Sequence, residues 1–312
     1  MNPAIISDTG RFSVKLLPPA TLQHRSGTSC VAHIISRRFH YPMRAMTMIM
    51  KSLYVAAGLS LLAVSAAFGQ APRLPDRNAL VWLVYSGDHQ VSEKWAVHTE
   101  YQWRRVSWLG SPQNQLARLG LVRTLTDRVK VSGGYTYFQT HRYGTYPTVQ
   151  SQAVPEHRLY QDLTLTNEPL GRLRLTHRFR LEQRWLGARP ADDGRGPVLS
   201  WEFQNRIRYQ LAGELPLQGP TLDNGEWYLN AFDEVFISFG RHVGNNVFNQ
   251  NRLSGGLGYQ FAENAKVELN YLNQISQHGE PDPVSGRPVF EFNHGLRLNM
   301  LFNLDFTRSA SL

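Results

Sequence analysis

The stretch Arg172-Leu173-Arg174-Leu175-Thr176-His177-Arg178-Phe179-Arg180-Leu181-Glu182-Gln183-Arg184-Trp185-Leu186 alternates apolar and charged side chains at a period of two. One set is Leu173, Leu175, His177, Phe179, Leu181 and Trp185; the other is Arg172, Arg174, Thr176, Arg178, Arg180, Glu182 and Arg184. Successive side chains of a strand point to opposite faces, whereas a helix repeats every 3.6 residues and would mix the two sets. The stretch therefore reads as a long strand with an apolar face and a strongly cationic one.

The same alternation recurs along the chain. Over 94–105, Trp95, Val97, Thr99, Tyr101 and Trp103 oppose His98, Glu100, Gln102 and Arg104. Over 198–212, Trp201, Phe203, Ile207, Tyr209 and Leu211 oppose Glu202, Gln204, Arg206, Arg208 and Gln210. Further segments lie at about 79–86, 116–126, 128–140, 156–167, 226–239, 250–261, 264–276 and 290–306. Tight turns (Thr126-Asp127, Glu168-Pro169-Leu170-Gly171, Glu263-Asn264) alternate with longer Gly-, Pro- and Asn-rich connections at 105–115, 141–155, 187–197, 240–249 and 277–289. Short turns at one rim and long loops at the other are the expected asymmetry of an outer-membrane barrel; the long turn at 213–225 sits awkwardly on the short side.

Alternation alone does not say which face points outward, since a lipocalin-like barrel would bury the apolar one. Three features favour the membrane version. The polar face is densely charged with both signs. Aromatics recur at eight-residue spacing (Trp95 and Trp103, Trp201 and Tyr209), and eight tilted strand residues span about 20 Å of membrane normal. Basic residues after position 69 are 23 Arg and three Lys, and the planar guanidinium fork suits paired carboxylates in a confined lumen. The expected fold is all-β: an antiparallel up-and-down transmembrane β-barrel of about 10–12 strands, with apolar residues facing lipid and a polar, Arg-rich lumen. Eleven segments conflict with the even number of a simple antiparallel barrel. The count is expected to be ten, with 79–86 outside the wall, or twelve, with one strand missed.

The 312 residues carry 33 Lys and Arg against 24 Asp and Glu, a net of +9. Residues 1–69 hold seven of the bases and one of the acids, which leaves 26 against 23, or +3, for residues 70–312. A nucleic-acid partner therefore loses its electrostatic support. Lys51, the apolar run Leu53–Val64 and the small-residue site ending at Gly69 read as a secretory signal peptide over 48–69, cleaved at about Gly69/Gln70. The run is too short for a spanning helix. Residues 1–47 read as a non-native or disordered extension, 70–78 as a short N-terminal segment, 79–306 as the barrel and 307–312 as a tail. The single cysteine, Cys30, lies in the leader, so thiol catalysis, cysteine-based zinc sites and disulfides are excluded for residues 70–312. The expected location is the bacterial outer membrane.

In the last segment, Asn293-His294-Gly295-Leu296-Arg297-Leu298-Asn299-Met300 resembles the polar-x-Gly-x-x-apolar-x-apolar signal read by the barrel-assembly machinery, although six residues follow Phe306. Longer stretches carry a wider resemblance: Trp82-Leu83-Val84-Tyr85, Ser92-Glu93-Lys94-Trp95, Glu100-Tyr101-Gln102-Trp103-Arg104, Gly133-Gly134-Tyr135 and Glu156-His157-Arg158. It continues through Arg178–Arg184, Phe248-Asn249-Gln250-Asn251-Arg252, Gly256-Leu257-Gly258-Tyr259 and Tyr271-Leu272-Asn273-Gln274. On these the chain, over roughly 80–305, resembles an uncharacterised outer-membrane family, domain of unknown function 2490. The resemblance implies a barrel and supplies no activity.

The candidate site is the lumen charge track of Arg172, Arg174, Arg178, Arg180, Glu182, Arg184, Glu202, Arg206 and Arg208, with His98, Glu100 and Arg104 as further inner-face candidates. Such a track either closes on carboxylates such as Asp162 as Arg–carboxylate ladders or guides anions through a pore. Trp95, Trp103, Trp185, Trp201, Tyr209 and Trp227 are the expected aromatic girdle. The functional expectation is a structural or passive small-solute pore with a possible anion preference, and not an enzyme. The alternative is a lipid-active enzyme of the phospholipase or lipid A-modifying class, with His98 beside Glu100 as its best base. No histidine after residue 69 stands in a His-x-Ser pattern, and no catalytic, metal or cofactor set is expected. Gly255-Gly256-x-Gly258 lacks a P-loop lysine and reads as a thin stretch of wall that a neighbour can approach closely. The expected partners are outer-membrane lipid, lipopolysaccharide and the barrel-assembly machinery, with oligomeric state open.

Overall fold

The structure, a computed structural model, describes residues 73–149, 152–190, 196–244 and 246–307. The leader, the 1–47 extension and residues 308–312 of the tail lie outside the described residues. Eleven strands follow one another: β1 (Leu74–Gln90), β2 (Trp95–Val106), β3 (Ser111–Thr126), β4 (Val129–Thr140), β5 (Val154–Asn167) and β6 (Arg174–Ala188), then β7 (Ser200–Pro216), β8 (Glu226–Phe239), β9 (Phe248–Ala262), β10 (Ala265–Gln277) and β11 (Val289–Phe302). Each pairs antiparallel with the next, and the sheet closes on itself.

The parity problem is resolved at the closure. With eleven up-and-down strands, the first and last run in the same direction, and β1 pairs parallel with β11 from Leu74↔Val289 to Ser86↔Leu301. The count is neither ten nor twelve, and residues 79–86 are wall. Their alternation is weak because β1 is apolar on both faces. Inward-pointing Leu80, Trp82 and Val84 pack with Val106 and Leu272 in a small core, against which Tyr143 and Phe232 rest. Polar groups also tie the parallel seam, where the Asn78 amide donates to Asn293 at 2.9 Å.

Turns at one rim span 91–94, 127–128, 168–173, 217–225 and 263–264; connections at the other span 107–110, 141–153, 189–199, 240–247 and 278–288. The expected asymmetry holds with two changes. The 105–115 loop shrinks to four residues because β3 starts at Ser111. The 213–225 turn shrinks because β7 runs on to Pro216.

Burial is inverted relative to a water-soluble protein. Arg180, Glu182, Arg206, Arg208 and Glu234 are buried inside, while outward residues such as Leu119, Leu253 and Tyr271 are more than half exposed. The expected thin wall is present as well. The buried Tyr228 ring lies over Gly258 so closely that a Cβ there would sit 2.2 Å from it.

Candidate functional site

Inward positions are set by register. The β6–β7 pairing places Arg180 opposite Arg208 and Arg184 opposite Gln204, with Glu182 opposite Arg206. The β5–β6 pairing sets Arg158 opposite Arg184. Like charges directly opposite each other repel, so each arginine row needs a carboxylate reaching in from an adjacent row. Glu182 accepts from Arg206 at 2.6 and 2.8 Å and from Arg208 at 2.8 Å. Glu234 accepts from Arg208 at 2.6 Å and from Arg178 at 2.8 Å, with Arg252 at 3.5 Å. Asp162 takes both arms of Arg180 at 2.6 Å. Glu156 takes Arg158 at 2.6 Å and Arg184 at 2.5 Å, and Glu100 pairs with Arg118. The chain Arg206–Glu182–Arg208–Glu234–Arg178 thus crosses three strands without a break.

One continuous cavity of about 620 Å³ runs beside this ladder, lined near one rim by Glu214 and Leu301 and near the other by His278 and Gly279. Ten arginines and six glutamates line it, an excess of four positive charges. The 141–153 connection folds inward at the long-loop rim. Tyr143 donates to Glu291 at 2.8 Å, and Asp76, 1% exposed, accepts the backbone N–H groups of Thr145 and Tyr146 at 2.9 and 3.1 Å. Burial, and then the Glu291 charge, hold the Tyr143 phenol well above its ordinary pKa, so it stays a donor. Replacing Asp76 by Ala leaves two backbone donors without their acceptor, at about 1–3 kcal/mol. The expected result is faster limited proteolysis after Tyr143 and Tyr146, with the rest of the barrel intact.

Of the expected track, Arg178, Arg180, Glu182, Arg184, Arg206 and Arg208 come together as described. Arg172 does not join them, because β6 begins at Arg174 and Arg172 lies exposed in the preceding turn. Arg174 is exposed at the short-turn rim, although it lines the cavity. Glu202 is exposed at the other rim, on the wall of a second hollow shared with Val149, Arg189 and Pro190, and makes no ion pair among the described residues. His98 is held between carboxylates, with Nδ1 at 2.7 Å from Asp88 and Nε2 at 3.5 Å from Glu100. Arg104 stacks on the Trp82 ring, 3.9 Å from its centroid, and donates to Gln102.

All six expected girdle residues point outward. Trp95 and Trp227 begin their strands at the short-turn rim, and Trp227 packs on Tyr259 at 4.9 Å. Trp103, Trp185 and Trp201 lie toward the long-loop rim, with Trp185 on Phe203 and Trp201 on His157. Tyr209 is mid-strand because β7 extends to Pro216, so it belongs to neither belt.

Sequence reasoning missed Glu234, Glu156, Arg118, Arg158, Arg252 and Arg297 as lumen residues. Strand parity was the available signal, since each sits an even number of residues from another inward residue. Among the described residues, no group of three His, Cys, Asp or Glu is placed to hold a metal ion.

The fold and its interior define a class, a closed eleven-stranded β-barrel with a paired, net-positive charged lumen. A family model described as "Protein of unknown function (DUF2490)" matches residues 79–284, about two thirds of the chain, and the chain belongs to that family. The match stops short of β11, so the closing strand falls outside it, whereas the sequence resemblance ran to about 305. No curated protein and no solved structure gives a significant match.

Proposed function

We propose that the protein is an outer-membrane β-barrel offering small solutes a narrow, passive, anion-preferring path. The observation that carries this reading is the cavity that touches residues of both rims with four more arginines than glutamates on its wall. Surplus fixed charge in a confined path raises the local concentration of counter-ions. The outward apolar face supports the membrane setting, because water would not stabilise so much exposed hydrocarbon. Polar groups on that face satisfy one another, as lipid requires. Gln161 and Gln183 exchange amide hydrogen bonds at 3.1 and 3.3 Å, Asn251 donates to Asp233 at 2.7 Å, and His177 meets Tyr209 at 2.9 Å. The leader at 48–69 supplies export, and β11 presents the assembly signal.

Two measurements test the reading. In planar bilayers the purified protein is expected to give steady steps whose reversal potential in a salt gradient favours anions; silent or cation-selective protein rejects it. In liposomes with brominated acyl chains, Trp95, Trp201 and Trp227 are expected to be quenched strongly while inward Trp82 is spared. Uniformly weak quenching would remove the membrane setting. The lipid-active alternative would need a nucleophile beside His98, whose ring is instead engaged by Asp88. His98→Ala, assayed for loss of any lipid turnover, decides that reading.

A further inference from the structure

The charge ladder leaves a remainder at one place. Trp82 on β1 is flanked in register by Arg104 of β2 and by Arg297 of β11. Arg252 also stacks over its ring, 4.9 Å from the centroid. All three guanidinium groups line the cavity. Arg104 makes its hydrogen bonds to Gln102 alone and forms no ion pair among the described residues. Arg297 has a buried Nε with no hydrogen-bond partner, lies 5.4 Å from the Phe232 ring centroid, and forms no ion pair among the described residues. Arg252 has Glu234 at 3.5 Å, a carboxylate already held more closely by Arg208 and Arg178.

Glu268, Glu100 and Glu234 are the carboxylates that act most strongly on Arg297. Each is engaged elsewhere: Glu268 by Tyr228 at 3.0 Å and Asn299 at 2.7 Å, Glu100 by Arg118, and Glu234 by Arg208. A buried guanidinium without an anionic partner is costly. Arg104 and Arg297 are two such groups, and with Arg252, which has only a share of Glu234 and a 3.4 Å hydrogen bond to Gln274, they line one open volume as a receptor short of complementary charge.

We propose that Arg104, Arg252 and Arg297 form a discrete binding site for a small multivalent oxyanion, a phosphate or carboxylate group whose oxygens accept from the guanidinium forks. The site deepens the anion-path reading and rests on it for its physiological sense, but binding is measurable without conduction. The cavity falls within the ~300–1,000 Å³ range of small-molecule sites, so a whole metabolite-sized anion fits with its charged end at this cluster.

The test is calorimetric titration of the full-length folded protein in detergent with inorganic phosphate and, separately, citrate, at fixed ionic strength against a chloride background. Saturable one-site binding is expected. Arg104→Gln and Arg297→Gln should each weaken it about tenfold, while Arg172→Gln in the exposed turn should leave it unchanged. Preference for phosphate or for citrate identifies which oxyanion chemistry the site takes. A second readout separates binding from a structural role. Without added anion, Arg297→Gln should raise the urea midpoint by relieving repulsion, and phosphate should raise the midpoint of the wild type more than that of the variant. Folded protein without saturable binding of either probe overturns the site, as does binding unaffected by both substitutions. Binding by a barrel that is silent in bilayers would keep the site and reject the path; conduction without binding would do the reverse.

Discussion

Glu182→Gln is expected to destabilise the barrel by about 3–5 kcal/mol, the scale of breaking a buried ion pair from one side. Glu182 is 1% exposed and, among the described residues, is the one carboxylate within ion-pair distance of Arg206; Arg208 shares it. Glutamine keeps the shape and one acceptor oxygen but removes the charge, leaving the guanidinium groups of Arg206 and Arg208, successive inward residues of β7, repelling each other. The measurement is the urea midpoint of the purified barrel, with Glu202→Gln as reference. Glu202 is exposed at the rim and unpaired, so its loss should fall within about 0.5 kcal/mol. A double-mutant cycle with Arg206→Gln should return most of the cost as coupling. The same substitution adds one to the positive excess of the lumen and should shift the reversal potential further toward anions. If Glu182→Gln and Glu202→Gln had equally small effects, the lumen would be wet enough to screen the ladder, and burial inside this barrel would not mean desolvation.

The fold was legible because its signal is local and repeated. Arg172–Leu186 and its counterparts at 94–105 and 198–212 alternate so regularly that face and strand follow from parity alone. The lumen residues on those strands were correspondingly visible: Arg178, Arg180, Glu182, Arg184, Arg206 and Arg208. Elsewhere the signal failed for physical reasons. β1 hides its alternation because its inner face builds an apolar core around Trp82, so the strand that resolves the parity looked like the one to discard. Glu234 sits beside Asp233 in a pair of acids facing opposite ways: the β7–β8 register sets Glu234 opposite Gln210, from where it reaches the neighbouring inward Arg208, while Asp233 faces out to Asn251. Arg297 lay within the stretch read as an assembly signal, and its lack of an ion pair among the described residues is a property of the closed barrel. Register sets Arg104 of β2 and Arg297 of β11 on either side of Trp82, a juxtaposition across the seam that no local pattern encodes.

That seam carries the second large effect. Gly295→Val is expected to prevent closure, at more than the ~1–3 kcal/mol usual for an overpacked core. A Cβ at position 295 would lie 1.9 Å from the carbonyl oxygen of Leu80 and 2.6 Å from its carbon. Both belong to the β1 backbone, which cannot rotate aside as a side chain could. The strands would have to part around Leu80↔Gly295, near the middle of the parallel pairing that joins the two ends of the sheet. Antiparallel hairpins from β2 to β10 would remain possible, so the expected product is β-rich but unclosed. It should lack a compact band on unheated SDS gels and should fail to trap a cross-link between Asn78→Cys and Asn293→Cys. Those positions are directly paired across the seam, in a chain whose only native cysteine is Cys30. Leu298→Val, on the outward face of β11, should close and cross-link normally. The comparison also separates two roles for the same glycine. If Gly295 matters only as a recognition mark for assembly machinery, the variant will fail in cells yet refold as purified protein. If it matters because β1 must pass within van der Waals reach, refolding of the pure protein fails as well, and the geometry of the seam favours that outcome.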